Sequence, residues 1–145
     1  MLGSVSGAKV KFEPDPGWEW MGWDGVLELD ALMRHELTVD GKVAILIEDV
    51  LGCGTKLCGK NYKAAGFDRI PGTIVICALS VDESSVSKRL TVRGEKVCGD
   101  ETNGTFIVTC VPSMSGSTPP VPDPMPSRTG KWRFTAAGQQ KLSLR

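Results

Sequence analysis

The sequence predicts a mainly β protein, a small repeated-hairpin cone or barrel with a Pro-rich surface wrap and little helix. Three observations lead there. A phrase is written twice: Leu37-Thr38-Val39-Asp40-Gly41-Lys42-Val43, running on to Glu48-Asp49, is echoed by Leu90-Thr91-Val92-Arg93-Gly94-Glu95-Lys96-Val97, running on to Asp100. Apolar runs at 43–47, 73–79 and 105–111 have the length of strands and are rich in β-branched residues. Seventeen Gly and nine Pro, against one His and one Tyr, describe a turn-rich chain that is poorly equipped for acid/base chemistry.

In each copy of the doubled phrase, Leu and Val alternate with polar neighbours at the strand period, and the x-Gly pair supplies the positive φ of a tight hairpin. The copies are expected to be equivalent hairpins over 37–47 and 90–98. The second carries one extra residue after its Gly, which matches Val43 to Val97 and gives both copies an Asp-ended turn, at Asp49 and Asp100. Leu-Thr-Val-x-Gly also arises in β-domains from propensity alone.

Before the first copy, Ala8-Lys9-Val10-Lys11-Phe12 alternates and is stopped by Pro14 and Pro16, which predicts an edge or lead-in strand. Trp18, Trp20 and Trp23 follow within six residues, the first two on one face of an extended chain. They either cover one end of the core or form an aromatic patch for a partner, because Trp is enriched at interface hot spots. Residues 26–33 suit a strand followed by a turn at Arg34-His35, although Asp24 could also cap a helix there.

The runs 43–47 and 73–79 are apolar at every position, as strands covered on both faces are. Gly52 to Gly59, three glycines and two cysteines in eight residues, reads as an irregular loop. A turn at Asn103-Gly104 leads into the strand at 105–111. Six prolines between 112 and 126 predict an extended wrap without internal hydrogen bonds. Alternation resumes at 131–135 and 141–144 as a small C-terminal hairpin. The organisation expected is an N-terminal extension with the Trp cluster (1–30), a repeated β-hairpin core (31–111), a Pro-rich segment (112–130) and a C-terminal hairpin (131–145).

Seventeen basic and seventeen acidic side chains cancel, so no field recruits nucleic acid. There is no run of eighteen apolar residues to anchor the chain stably in a membrane, and the first residues lack a secretory pattern, so synthesis in the cytoplasm is expected. Five cysteines cannot all pair, which favours thiols or metal ligands over a disulfide framework.

Cys53 and Cys58 sit in a Gly-rich bend at Cys-x4-Cys spacing, and Cys98 and Cys110 close later elements. If the two repeats are neighbours in space, these four thiolates could hold a tetrahedral zinc, with His35 as substitute for one of them. A buried cysteine is also commonly just a small hydrophobe, and Cys77, inside an apolar run, reads as that. Glu48-Asp49 and Asp82-Glu83 read as solvated turn residues, and no residue nominates itself as a catalyst.

The two Leu-Thr-Val-x-Gly phrases with Asp49 and Asp100, the Gly/Cys loops, and Thr118-Pro119-Pro120-Val121-Pro122 leading to Trp132 together resemble the PAAR-like proteins. These are β-rich tips of the central spike in type VI secretion systems, phage tails and related contractile injection machines. The resemblance covers residues 35–135. The Pro-Ala-Ala-Arg signature itself is absent, and one histidine stands where better-known members use several on a metal. The resemblance implies a non-enzymatic role: a β-cone seated on the blunt end of a trimeric spike, aiding membrane puncture and able to carry effector cargo, made in the cytoplasm and assembled into the particle. Trp18, Trp20 and Trp23 lie outside the shared motif as an added docking patch. A generic small β-barrel binding module, another phage or tailocin structural protein, and a thiol or metal enzyme are the other classes.

Overall fold

The structure, a computed structural model, describes residues 2–31, 37–39, 41–87, 90–92 and 94–139. Its strands are β1 (Lys9–Pro14), β2 (Trp18–Met21), β3 (Val26–Glu28), β4 (Thr38–Val39), β5 (Lys42–Val43), β6 (Asn61–Ala64), β7 (Phe67–Val81), β8 (Thr91–Val92), β9 (Glu95–Lys96), β10 (Asn103–Val111) and β11 (Ser127–Ala136). One α-helix, α1 (Ile47–Gly52), is described, followed at once by a 3-10 turn over Cys53–Leu57. The chain is therefore mainly β, as its patterning predicts. No helix among the described residues is long and apolar enough to cross a membrane.

Seven strands form one antiparallel sheet in the order β2-β6-β7-β10-β11-β1-β3, curled into a half-barrel. β1 is an interior strand between β11 and β3, not an edge. Pro14 does not disrupt the ladder because it stands at the strand's last position, and Pro16 lies beyond it. The first thirty residues thus supply three strands to the main sheet. The segment expected as a C-terminal hairpin supplies β11, paired on both sides, while its second arm at 141–144 lies outside the described residues.

The inner face buries Phe12, Trp18, Tyr62, Phe106, Val108, Trp132 and Phe134, and Ile45, Val50, Cys53 and Leu57 close over them. The outer face is bare. On β10, Phe106 and Val108 point inward while Ile107 and Val111 are 46% and 56% exposed. The run 73–79 is therefore not covered on both faces: Ile76 is 60% exposed, because a one-sided sheet imposes alternation whatever the residue type. Asn103-Gly104 lies inside β10, paired with Arg133 and Trp132, and not in a turn.

The doubled phrase forms two matching hairpins, β4-β5 and β8-β9, whose two-residue loops contain Gly41 (φ 76) and Gly94 (φ 81). The left-handed backbone at these positions is what Gly supplies without strain. Equivalence runs at a constant offset of 53. Ala44 N–H donates to Leu37 C=O (3.0 Å) as Val97 N–H does to Leu90 C=O (3.3 Å), so Val97 matches Ala44 and there is no extra residue. Asp49 Oδ2 accepts from Leu46 N–H (2.8 Å), and at the same offset Thr102 Oγ1 accepts from Gly99 N–H (2.9 Å). The counterpart of Asp49 is therefore Thr102. Asp100 instead accepts from the amide of Leu2 (2.9 Å).

These two segments meet a third that the sequence does not advertise. Ser4 N–H donates to Cys98 C=O (2.9 Å), Cys98 N–H to Ile45 C=O (2.9 Å), and Ile45 N–H to Ser4 C=O (2.7 Å), closing a ring of three backbone bonds. Bridges repeat the cyclic order: Val5 with Ala44, Leu46 with Val97, Gly99 with Gly3. The turn three residues on is also common to all, through Ala8 to Val5 (2.8 Å), Asp49 to Leu46 (3.1 Å) and Thr102 to Gly99 (3.1 Å). The chain thus carries a pseudo-threefold centre built from residues 3–5, 44–46 and 97–99. The expected central strand at 43–47 is instead one arm of this ring and then the first turn of α1, buried but without a long ladder.

The Pro-rich segment lies on the fold through Asp123. Arg128 donates to both its oxygens (2.7 and 3.1 Å), Tyr62 Oη donates to Oδ2 (3.3 Å), and Ser113 N–H donates to that phenol oxygen (3.1 Å). The Asp123 side chain is wholly buried. Removing one member of such a group strands the others without partners, so Asp123→Ala should lower the free energy of unfolding in urea by about 3–5 kcal/mol. Tyr62→Phe should cost about 1 kcal/mol. A loss under about 1 kcal/mol for Asp123→Ala would show that the wrap is held by other contacts.

Candidate functional site

The 3-10 turn that carries Cys53 and Cys58 is pressed onto β7. Gly54 sits so close that a Cβ there would stand 2.5 Å from the carbonyl oxygen of Cys77, and the Cys58 thiol lies 3.0 Å from Val75 C=O. Cys77, which the sequence assigns to simple packing, is the centre of this thiol group: Cys53, Cys58 and Cys110 all act on it electrostatically. Cys98 is not gathered with them. It is a member of the ring, and the charges beside its buried thiol are Asp49 and Glu95. The four ligands named from sequence, Cys53, Cys58, Cys98 and Cys110, therefore do not converge, because Cys98 lies in the ring while Cys53 and Cys58 stand in and just after the 3-10 turn and Cys110 is on β10. Among the described residues no three His, Cys, Asp or Glu side chains are placed to hold a metal ion. His35 lies outside the described residues.

Burial pushes these thiols up from their ordinary value of 9.0, Cys53 to about 11, Cys77 to about 12 and Cys110 to about 11, and raises Cys98 still further. Lys56 beside Cys53, and Tyr62, which hydrogen-bonds Cys110, act in the opposite direction but are outweighed. Such groups stay protonated near neutral pH, which makes them poor nucleophiles. Cys58 is the exposed thiol of the five.

The tryptophans are struts across the mouth of the half-barrel. Trp18 Nε1–H donates to Thr129 C=O on β11 (2.8 Å) and Trp20 Nε1–H to Phe12 C=O on β1 (2.9 Å). Two indoles of an edge strand thus reach strands at the far side of the sheet order, and the curl follows. Trp18 is only 7% exposed and packs edge-on against Trp20 at 4.9 Å, so it does not present the docking surface expected of it: its ring and its donor are both used inside the fold. Trp20 and Trp23 are half-buried, and Lys60 Nζ stands 4.8 Å from the centre of the Trp23 ring.

Sequence reasoning missed the ring residues Ser4, Ile45 and Cys98. One signal was available, the offset of 53 between Asp49 and Thr102, two residues that cap backbone equally well but are not alike as letters.

A maleimide at neutral pH should modify Cys58 first and the other four only under denaturing conditions; equal rates at Cys53 and Cys58 would contradict the burial described. The raised thiols also fix a sign. Above about pH 9 the unfolded chain releases thiol protons that the folded chain keeps up to about pH 11, so the unfolded state binds fewer protons and stability falls as pH rises through that window. The melting temperature should drop between about pH 9 and 11, and replacing Cys77 by Ala should flatten the drop. Neither a family model nor a curated protein matches this chain.

Proposed function

We propose that the chain is a non-enzymatic spike tip of the PAAR-like kind, capping a trimeric central spike of a contractile injection machine and aiding membrane puncture or cargo attachment. On this reading it is made in the cytoplasm and assembled into the particle. The observation that carries the reading is the ring of Ser4, Ile45 and Cys98, with its cyclic bridges and shared turns. A single chain with a pseudo-threefold centre can sit coaxially on a threefold partner and give each subunit a similar surface, which an asymmetric domain cannot do. Two further features support it. The fold is tied by long-range backbone bonds and buried indole struts, as a body that transmits force requires, and four of its thiols are held in the unreactive protonated form.

A second reading, a binding module unconnected with any spike, is favoured by the bare outer face of the sheet, where Ile76, Ile107 and Val111 are exposed together on paired strands. Stoichiometry separates the two. Co-expressed with a trimeric central-spike protein of a contractile injection machine, the chain should give a complex of one copy per spike trimer by native mass spectrometry. A closed homo-oligomer with no spike association would overturn the tip reading.

A further inference from the structure

We infer that the free chain pairs with a second copy of itself, outer sheet face against outer sheet face, through Val75, Ile76, Ile107 and Val111. The inference does not rest on the spike reading. It begins with a β-bulge. Thr109 of β10 faces Ile76 of β7 but Cys110 faces Ile74, so Val75 is an extra residue at that register shift. Consecutive strand residues normally point to opposite faces, and a bulge re-aims one of them. Here Ile74 and Cys77 pack on the core side, while Val75 and Ile76 are 48% and 60% exposed side by side. The bulge therefore turns outward two β-branched side chains that the core does not use.

They sit in a patch without charge. The rows across the outer face read Ala78-Ile107-Thr129, Ile76-Thr109-Ser127 and Thr73-Val111, and none of these side chains is ionisable. The four exposed Val and Ile residues, with Ala78 between them, make a contiguous apolar surface of roughly 400–500 Å², at the upper end of what a monomer leaves bare. Laid against an equal patch, it removes about 1,000 Å² from water, which is where specific interfaces begin.

A second copy fits this face because the face carries both halves of the contact. Ile76 stands out as a ridge. One row away, the small side chains of Ala78 and Ser80, with Thr105 and Thr129 beyond them, leave a hollow of about 290 Å³ beside Ile107. Twofold packing puts the ridge of each copy into the hollow of the other, the self-complementarity that an isologous interface needs. Side chains of two sheets packed face to face interdigitate in the same way inside a β-sandwich. The margin of the hollow holds Asp15 and Lys131, one of each sign, and the formal net charge of the chain is zero, so two copies approach without net repulsion. The patch spans β7, β10 and β11, so the curl of the sheet lifts only its margins away.

Sedimentation velocity on the full chain between about 1 and 100 µM should show a monomer passing into a dimer. Ile76→Asp together with Ile107→Asp should raise the dissociation constant by about a hundredfold or more, with an unchanged far-UV circular dichroism spectrum. Leu51→Asp, on α1 at the opposite face, should dimerise as the unaltered chain does. A photo-crosslinking amino acid at position 109 should give a covalent species of twice the chain mass and one at position 48 should not, a readout independent of how well the aspartate variant folds. A chain that stays monomeric at about 100 µM overturns the inference. So does a dimer that persists in the doubly substituted variant or is lost in Leu51→Asp, and so does assembly beyond a dimer, because a twofold contact uses up the face. No spike is present in these measurements, so the tip reading is decided separately by stoichiometry.

Discussion

Three backbone hydrogen bonds, from Ser4 to Cys98, Cys98 to Ile45 and Ile45 to Ser4, join segments that are far apart in the chain and hold the fold to one arrangement. Each segment is too short to pair into a ladder of its own: β4, β5, β8 and β9 have two residues each. Isolated two-stranded hairpins are marginal in water. They persist here because each ends in a ring position whose amide and carbonyl are both used, and because the flanking residues bury one shared apolar cluster. Loss of any one segment would leave buried backbone groups of the other two without partners, and the penalty for such orphans exceeds the net gain from a typical satisfied bond.

The half-barrel depends on the ring at one margin and on tryptophan at the other. α1 and the 3-10 turn leave the ring after Leu46 and drop Val50, Cys53 and Leu57 onto the inner face of the sheet. Across the mouth, Trp18 and Trp20 span from an edge strand to β11 and β1, and Trp132 Nε1–H donates to Ser80 C=O (2.9 Å) on β7. Each indole covers apolar area and satisfies a carbonyl at once, which suits a seam that a plain ladder does not close. The outer face is left with exposed Ile and Val whose identity the core does not dictate.

Much of the fold was legible in the sequence and the site was legible only in part. Alternation and x-Gly turns gave the hairpins and the β class because those signals are local. The continuous apolar runs misled: Val75 and Ile76 satisfy strand propensity yet face solvent, since propensity does not record which face a sheet covers. Residues 43–47 read as a strand because their burial is real, but it comes from ring and helix packing. Cys53 and Cys58 were expected in an irregular loop and stand in and just after a 3-10 turn, whereas Cys98 was grouped with them on the supposition that the two repeats are neighbours in space, and it lies instead in the ring. The third arm of the ring, Gly3-Ser4-Val5, has no hairpin phrase and no periodicity, and its role comes only from contacts made across most of the chain.

Without that third arm the molecule has two hairpins and no threefold character. Amide hydrogen exchange under native conditions tests it most directly. The account predicts that the amides of Ser4, Ile45 and Cys98 exchange slowly and with the same opening free energy, as members of one cooperative unit. Fast, independent exchange at Ser4, with Ile45 and Cys98 still protected, would show that the N-terminal segment is an accessory to a two-part fold and would contradict the ring.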